Sequence, residues 1–234
     1  MRYVGNKSRY AKYILEYMQP SLSTTDWYVE PFCGALGVLE SVTSKHRIAN
    51  DSNPYLIALW KAVQSGWIPP ENVSYEMYVD IRDNKDNYVP YLVGFVGFCC
   101  SFGAKFFGGY ARGKDNRGNP RNYAAESVRN IKAMYPNIKD VVFFNRDYTH
   151  TPIPMNAVVY CDPPYANAQD YGTTFNTDEF FNWCRWLTKR GNKIFISEYQ
   201  APEDFQCIWS KEVNNTLDKN TGSKQGIERL YVLR

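Results

Sequence analysis

Residues 157–165 read Ala-Val-Val-Tyr-Cys-Asp-Pro-Pro-Tyr, and this stretch decides the fold class. Its first five residues are apolar, rich in β-branched side chains and preceded by Pro154, as is typical of a short buried strand. A carboxylate at the carboxyl end of such a strand lies where open α/β sheets bind ligands. The two prolines fix φ and remove two N–H donors, so the loop is stiff and presents bare carbonyl oxygens. Taken alone, the stretch is also compatible with an ordinary Pro-rich turn.

The groups on this loop suit a planar molecule that carries an exocyclic amino group. Asp162 and the carbonyl oxygen of Pro163 can accept its two N–H bonds, and the ring of Tyr165 can stack on its face. The candidate catalytic residues are therefore Asp162, Pro163, Pro164 and Tyr165.

Strand-like and helix-like segments alternate on both sides of this loop. Short apolar runs predict strands at residues 27–30, 47–50, 141–144, 157–161, 193–197 and 228–234. Spacing and capping predict helices over 7–18 (ended by Pro20), from about 37 to Thr43, over 54–65, 91–102 and 123–134 (capped by Asn122), and after Thr177. The alternation predicts a doubly wound, mostly parallel α/β sheet of the Rossmann-like kind.

The alternation breaks between Gly66 and Tyr135. We therefore predict a catalytic domain made of residues 1–65 and 136–234, with an insertion at residues 66–135. A chain of 234 residues with 44% hydrophobic content is long enough for one such domain.

Composition excludes several other classes of protein. No run approaches the ~18 apolar residues of a membrane-spanning helix, and the first residues lack the apolar core of a signal peptide, so we expect a cytoplasmic protein. The six cysteines form no C-x-x-C pair and do not group with the two histidines, so we expect no metal site.

Basic residues are concentrated in one part of the chain. Residues 101–135 hold seven basic side chains and two acids, a charge of +5, whereas the whole chain carries +3. A local basic segment in a nearly neutral protein indicates a polyanionic partner. A solvated, charged loop would have the same composition.

Acidic residues follow four of the predicted strands. The first strand leads into a turn with Gly34 and Gly37, which is neither G-x-G-x-x-G nor a phosphate-binding loop. Asp51, after the second strand, lies where an acid can accept both ribose hydroxyls. The acids are Glu30, Asp51, Asp147 and Asp162. Together they favour a nucleoside with a cationic tail that is not a phosphate, which S-adenosylmethionine fits.

Four elements of the sequence, in this order, resemble the Dam-type DNA adenine-N6 methyltransferases. They are residues 3–7 (Tyr-Val-Gly-Asn-Lys), 30–37 (Glu-Pro-Phe-Cys-Gly-Ala-Leu-Gly), 50–54 (Asn-Asp-Ser-Asn-Pro) and 162–165 (Asp-Pro-Pro-Tyr). The resemblance covers essentially the whole chain and implies the class I methyltransferase fold. The cofactor loop of the family often has a further glycine where this chain has Ala35 and Leu36.

The resemblance implies a role for individual residues. Asp51 would bind the cofactor ribose, Asp147 and Tyr148 would lie near its adenine, and Asp162 would lie between the cofactor and a flipped base. The cofactor-binding residues would be Tyr3, Lys7, Glu30, Phe32, Gly34, Gly37, Asp51, Asp147, Tyr148 and Asp162. The cofactor would be S-adenosylmethionine, and the product N6-methyladenine in duplex DNA.

The basic insertion would then contact DNA. We expect its arginines and lysines to meet phosphates, and one arginine to read a guanine edge. An aromatic residue among Phe106, Phe107 and Tyr110 either fills the gap left by the flipped base or anchors the insertion to the core. The candidate DNA-binding residues are Lys105, Tyr110, Arg112, Lys114, Arg117 and Arg121.

Other readings of the sequence stay open. A methyltransferase that acts on RNA or on a protein glutamine would share the Asp-Pro-Pro-Tyr loop, and a catalytically inactive DNA-binding module would share the fold. The DNA enzyme is expected at the nucleoid, within a restriction–modification pair, a phage or a host regulatory system. The sequence is compatible with a monomer and predicts no membrane or metal partner.

Overall fold

The computed structural model describes residues 1, 3–164, 175–214 and 225–234. Its centre is a seven-stranded sheet of order β3-β2-β1-β4-β5-β7-β6. The strands are β1 (Trp27–Glu30), β2 (His46–Asn50), β3 (Val141–Phe144), β4 (Val158–Cys161), β5 (Lys193–Ser197), β6 (Phe205–Asn214) and β7 (Gln225–Leu233). Pairs among β1 to β5 are parallel, and β7 is antiparallel to both of its neighbours. This mostly parallel sheet confirms the predicted class I methyltransferase fold.

The strand order reverses at β1 and β4. The chain runs outward from β1 through β2 to β3, and then returns to place β4 on the other side of β1. Loops that leave the carboxyl ends of such neighbours diverge, and the crevice between them is the usual ligand site of an open α/β sheet. The loops after β1 and β4 are the two that the sequence analysis singled out.

Helices cover both faces of the sheet. They are α1 (Ala11–Leu22), α2 (Pro54–Gln64), α3 (Tyr75–Asp83), α4 (Pro90–Cys99), α5 (Tyr123–Met134) and α6 (Thr177–Lys189). Successive strand residues point to opposite faces. Tyr28 and Tyr160 lie in a core shared with α1, α2, α4 and α5, whereas Val29 and Val159 pack with α6. Within the described residues, no helix has the length and apolar character needed to cross a membrane.

The predicted strands all form, with ends that differ by up to three residues. Helices α2, α4 and α5 also form where they were predicted. The side chain of Asn122 caps α5, as predicted, by accepting the N–H of Ala125 at 2.9 Å. These elements have strong local signals, since their apolar runs are bounded by caps and prolines.

The helix predicted from about residue 37 to Thr43 was wrong. A short 3-10 turn, Leu39–Ser41, is found instead. Leu36 has φ +62, a left-handed conformation that an α-helix of L-residues cannot include. Its side chain is fully buried, so apolar burial offsets a conformation that glycine adopts more easily. Leu36 thus has a backbone conformation typical of glycine, within the Ala35–Leu36 pair where the family that the sequence resembles often has a further glycine.

Several helix ends were also misplaced. The first helix begins at Ala11 rather than at residue 7, after a 3-10 turn at Lys7–Arg9. The first helix continues past Pro20 to Leu22, because a proline in the last turn removes only one intrahelical hydrogen bond. The cap of α6 is Asn176, whose side chain accepts the N–H of Glu179, rather than Thr177.

Two elements were not predicted. Helix α3 begins after Ser74, whose side chain caps it. Strand β6 lies at the edge of the sheet, and a bulge between Cys207 and Trp209 shifts its register, which blurs the alternation that would identify it.

Residues 66–135 pack directly against the sheet and helices of the predicted catalytic domain. Helix α4 lies so close to α2 that a Cβ on Gly94 would meet the Tyr55 carbonyl oxygen at 2.2 Å. Helices α3, α4 and α5 share one hydrophobic core with the sheet. The segment is therefore built into the domain, and its role in target recognition stays a prediction.

Candidate active site

Asp162 lies directly after β4 and forms an ion pair with Lys7. The Lys7 Nζ atom is 2.9 Å from Asp162 Oδ1 and donates to the Gly5 carbonyl oxygen at 3.1 Å. The Lys7 side chain is 4% exposed and that of Asp162 is 20% exposed. The geometry thus joins the N-terminal segment to the loop predicted to be catalytic.

The N-terminal segment is placed by the two glycines of the loop after β1. A Cβ on Gly37 would lie 2.2 Å from Asn6 Oδ1 and 2.8 Å from the Ser8 backbone nitrogen. A Cβ on Gly34 would lie 3.0 Å from the ring of Tyr3, and Gly34 also has φ +45. Both glycines were predicted to bind the cofactor. In the structure they also allow the N-terminal segment to approach, which brings two of the predicted elements together.

The carboxyl of Asp162 has a raised proton affinity. Burial raises its pKa to about 6, although the ammonium of Lys7 acts in the opposite direction, and Glu228 raises it further. Burial also acts to lower the pKa of Lys7, but Asp162 and Glu228 outweigh it and the pKa is raised. Lys7 is therefore charged at neutral pH, and Asp162 titrates close to neutrality.

Glu30 ends β1, and its side chain is buried. Its side chain accepts a hydrogen bond from the Tyr28 hydroxyl at 2.7 Å and another from the Leu39 N–H. The residue is 2% exposed, and burial raises its pKa to about 8. Glu30 thus carries a proton at neutral pH and supports the loop after β1 from beneath. Its predicted contact with a cofactor stays a prediction.

Asp51 couples the loops after β1 and β2. One carboxylate oxygen accepts the Gly34 N–H at 3.1 Å, and the other accepts the Asn53 N–H at 2.9 Å. The indole of Trp60 donates to the Gly34 carbonyl oxygen at 2.9 Å. A carboxylate oxygen can accept a second bond, so this geometry is compatible with a ribose diol at Asp51.

Aromatic rings line the side of the crevice after β3. Phe32 and Tyr148 have ring centroids 5.1 Å apart, and both contact Phe180. Burial raises the pKa of Tyr148 to about 12, so its hydroxyl keeps its proton. Asp147 is exposed and caps the turn at Tyr148–His150 by accepting the Thr149 N–H at 2.9 Å. Tyr148 and Phe32 are thus brought together, and Asp147 holds the turn that carries Tyr148.

Sequence reasoning missed two acids beside Asp162. Glu198 follows β5, and burial raises its pKa to about 7, with Asp162 acting in the same direction. Glu228, on β7, lies 3.8 Å from the Lys7 ammonium. Glu198 could have been predicted in the same way as the other four acids, because it also follows a strand. Glu228 has no such signal, since it lies inside an antiparallel strand.

Asn50, in the element at residues 50–54, was not predicted as a site residue. It is fully buried at the end of β2, and its side-chain N–H groups donate to the carbonyl oxygens of Pro31 and Arg146, each at 3.0 Å. It therefore ties together the loops after β1 and β3.

The basic segment forms an irregular hairpin outside α4. Isolated bridges join Ser101 to Tyr110 and Lys114 to Pro120. Most of its predicted DNA-binding side chains are exposed: Lys105, Arg112, Lys114, Arg117 and Arg121. Arg121 pairs through two hydrogen bonds with Glu126.

The aromatic residues of this segment are mainly packing residues. Phe106 lies between Tyr55 and Phe98, with centroid distances of 5.5 and 4.8 Å. The Tyr110 hydroxyl donates to the Val73 carbonyl oxygen at 2.7 Å. Of the two predicted roles, Phe106 and Tyr110 therefore have that of anchoring the insertion to the core. Phe102, which was predicted to end a helix, instead follows α4 and exposes 64% of its surface.

Tyr165, the fourth predicted catalytic residue, lies outside the described residues. Pro163 is buried and Pro164 is half-buried. In the described part of the chain, no group of three or more histidine, cysteine or acidic side chains is arranged to hold a metal ion.

Comparison with known families decides the class of this site. The model of the family described as D12 class N6 adenine-specific DNA methyltransferase matches residues 3–89 and 71–221. The chain belongs to this family. Its members are DNA adenine methyltransferases, so the chain is an enzyme that methylates adenine in DNA, with S-adenosylmethionine as the methyl donor.

Individual relatives of this D12-class enzyme are distant. Proteins named DNA adenine methylase from two strains of Vibrio cholerae serotype O1 are 23% identical over 256 aligned positions, which cover 94% of this chain and 91% of theirs. The crystal structure of SMU.472 complexed with SAH is 11% identical with a TM-score of 0.37. That alignment covers 98% of this chain and 52% of the other, so the chain spans about half the length of that protein.

Proposed function

We propose that this D12-class enzyme acts at a short recognised site in duplex DNA, on an adenine turned out of the helix into the crevice beside Asp162. The observation that carries the proposal is the position of Asp162, at the end of β4 and next to β1, where the strand order reverses. An adenine amino group inside a duplex cannot reach a group held in such a crevice, so the base has to leave the stack.

The loop after β4 would activate the amino group. The lone pair of an adenine amine is delocalised into the ring, so the amine is a poor nucleophile. Asp162 and the Pro163 carbonyl oxygen would accept its two N–H bonds, which favours a tetrahedral nitrogen with its lone pair aimed at the methyl carbon. Positioning and fixed charge then supply much of the acceleration.

Proton transfer would follow methyl transfer. The lone pair of the amine would form the new N–C bond, and the cofactor would supply the methyl group while its sulfur keeps the electron pair of the C–S bond. The methylated nitrogen is strongly acidic and loses one proton. Asp162 is the acceptor in reach, and its raised pKa suits it to hold that proton briefly before water removes it.

The crevice fits S-adenosylmethionine by the chemistry of its lining. When bound, the cofactor supplies an electrophilic methyl group on a cationic sulfur. Asp51 would accept the ribose hydroxyls, and the contacting rings of Phe32 and Tyr148 would lie along one side of the adenine. Acidic groups suit the cationic tail. The remaining predicted contacts are Tyr3, Lys7, Glu30, Gly34, Gly37, Asp147 and Asp162.

The hairpin would bind the DNA backbone. Exposed basic side chains contribute affinity by neutralising phosphates, whatever the sequence. Lys105, Arg112, Lys114 and Arg117 are the candidates besides Arg121, whose guanidinium is engaged by Glu126. Phe102 supports a second role for this surface, since an exposed ring can enter the space that a displaced base leaves.

The surroundings of the enzyme follow from its substrate. Duplex DNA as substrate would place the enzyme in the cytoplasm at the nucleoid. Residues 66–135 would provide target recognition.

Asp162→Asn tests the proposed chemistry. The variant keeps the shape of the side chain but removes the charged acceptor, so we expect methyl transfer to fall at least about 1,000-fold while DNA binding stays within a few fold. Transfer from labelled S-adenosylmethionine to a DNA duplex measures the rate, and long-read sequencing of treated DNA identifies the methylated adenine and its motif.

Asp26→Asn is the matched control. Asp26 is exposed and precedes β1, at the opposite edge of the sheet, so its variant should retain the wild-type rate. Wild-type activity in Asp162→Asn would contradict the mechanism. Methylated adenines scattered without a motif would contradict site specificity.

A further inference from the structure

A buried ammonium shared by two carboxylates lies beside the reacting position. The Lys7 Nζ atom is 2.9 Å from Asp162 Oδ1 and 3.8 Å from Glu228 Oε2. The Glu228 side chain is 12% exposed, so the pair is largely removed from water. Charges in such surroundings interact much more strongly than charges on a surface.

Glu228 reaches this position because β7 runs against the other strands. Its pairing with β5 aligns Tyr231 with Ile196 and Leu230 with Ser197, and the Glu198 N–H then bonds to the Arg229 carbonyl oxygen at 3.4 Å. The residues before Leu230 on β7 therefore lie at the carboxyl edge of the parallel strands, where ligands bind.

We propose that Glu228 is a positioning residue for methyl transfer, and that it acts by sharing the Lys7 ammonium with Asp162. This inference rests on the proposed function. With Asp162 as its sole partner, Lys7 would hold that carboxylate tightly, and protonation of Asp162 would leave a buried cation without its counter-ion. Glu228 supplies a second counter-ion, so Asp162 can turn to the adenine amine and accept its proton while Lys7 stays compensated.

Several other titratable groups interact electrostatically with this cluster. Glu30 and Glu198 are electrostatically coupled to Asp162, as is the buried hydroxyl of Tyr160. Tyr199 acts on Lys7. Glu30 and Glu198 also titrate near neutrality. A change of activity with pH is therefore assigned to Asp162 only if two variants shift that change in opposite directions.

Glu228→Gln and Lys7→Gln provide those opposite changes. Removing the Glu228 charge lowers the pKa of Asp162. In a plot of the single-turnover rate against pH, the acidic limb should therefore move to lower pH by about one unit. Removing the Lys7 charge should move it to higher pH by a similar amount. We also expect the plateau rate of Glu228→Gln to fall at least tenfold, and Glu228→Asp, which keeps the charge, to recover part of it.

Glu212→Gln is the matched control, since Glu212 is an exposed acid on the neighbouring strand β6. A purely structural role for Glu228 would lower the rate and the stability but leave the acidic limb unmoved. An unmoved limb and a rate within twofold of wild type in Glu228→Gln, with Lys7→Gln shifted as expected, would overturn the proposal.

A second measurement does not depend on activity. Carbon-13 NMR follows the titration of the Asp162 carboxyl in the protein alone, with Asp162→Asn assigning the signal. We expect its midpoint to fall in Glu228→Gln and to rise in Lys7→Gln, and an unchanged midpoint in Glu228→Gln would overturn the proposal. Failure of the proposed function would instead appear as absent adenine methylation in the wild type. If Lys7→Gln does not fold, Lys7→Arg gives the comparison in which the charge is kept.

Discussion

At the scale of single residues, Gly37 shows how one missing side chain positions the site. Gly37→Ala would place a Cβ 2.2 Å from the Asn6 side chain and 2.8 Å from the Ser8 backbone nitrogen. The amide of Asn6 can move, but the backbone of Ser8 has to shift, and Lys7 shifts with it. We expect a loss of ~1–3 kcal/mol in unfolding free energy and at least tenfold weaker S-adenosylmethionine binding, measured by urea unfolding and by calorimetry.

Gly66→Ala separates this effect from simple backbone strain. Gly66 has φ +92, and no atom lies within 4 Å of the position that a Cβ would take there, so the alanine should cost about 1 kcal/mol and leave cofactor binding unchanged. Cofactor binding by Gly37→Ala within twofold of wild type would show that the approach of the N-terminal segment is not needed.

At the scale of elements, the hairpin differs from a uniform basic patch, because its cations have different partners. The Arg117 side chain is exposed, whereas Arg121 is paired with Glu126. We expect Arg117→Ala to weaken DNA binding and to reduce the slope of log affinity against log salt by about 1. Arg121→Ala should have a smaller effect on the slope, since its charge is already partly compensated. Titrations of a labelled duplex at several salt concentrations measure both.

Lys189→Ala is the control for these two variants. Lys189 is an exposed cation in the last turn of α6, away from the hairpin, so its removal should leave the slope unchanged. An unchanged slope in Arg117→Ala would exclude this side chain from the DNA interface.

At the scale of the whole molecule, the buried carboxyls make stability depend on pH. Glu30 has an ordinary pKa of 4.5 when unfolded and about 8 when folded, so between these values only the folded state holds the proton. Unfolding then releases a proton, and the unfolding free energy decreases as pH rises through this window. Glu198 and Asp162 act in the same direction up to about pH 7 and 6, respectively.

Glu30→Gln should remove the largest part of this dependence. Glutamine resembles the protonated acid and can still accept the Tyr28 hydrogen bond. Between pH 6 and pH 8, we expect the variant to lose less unfolding free energy than the wild type, by an amount on the order of 2 kcal/mol. Urea unfolding at both pH values measures this, with the exposed Glu16→Gln as control. Equal losses in variant and wild type would show that Glu30 is ionised in the folded protein.

The sequence by itself determined six of the seven described strands, the loop after β4 and the acids at the strand ends. Each depends on a local pattern: a short apolar run, a pair of prolines, or a carboxylate at a fixed place relative to a strand. The rule that parallel strands end at one edge then places Asp51 and Asp162 in the same crevice. The cap at Asn122 was equally local.

Only the tertiary structure decided how the N-terminal segment and β7 complete the site. The ion pairs of Lys7 join three segments that are far apart in the chain, and the pair with Glu228 forms only because β7 enters the sheet antiparallel between β5 and β6. The left-handed conformation of Leu36 likewise depends on the core that buries its side chain. Such features lack a local pattern, because their free energy comes from contacts between segments rather than from the preferences of neighbouring residues.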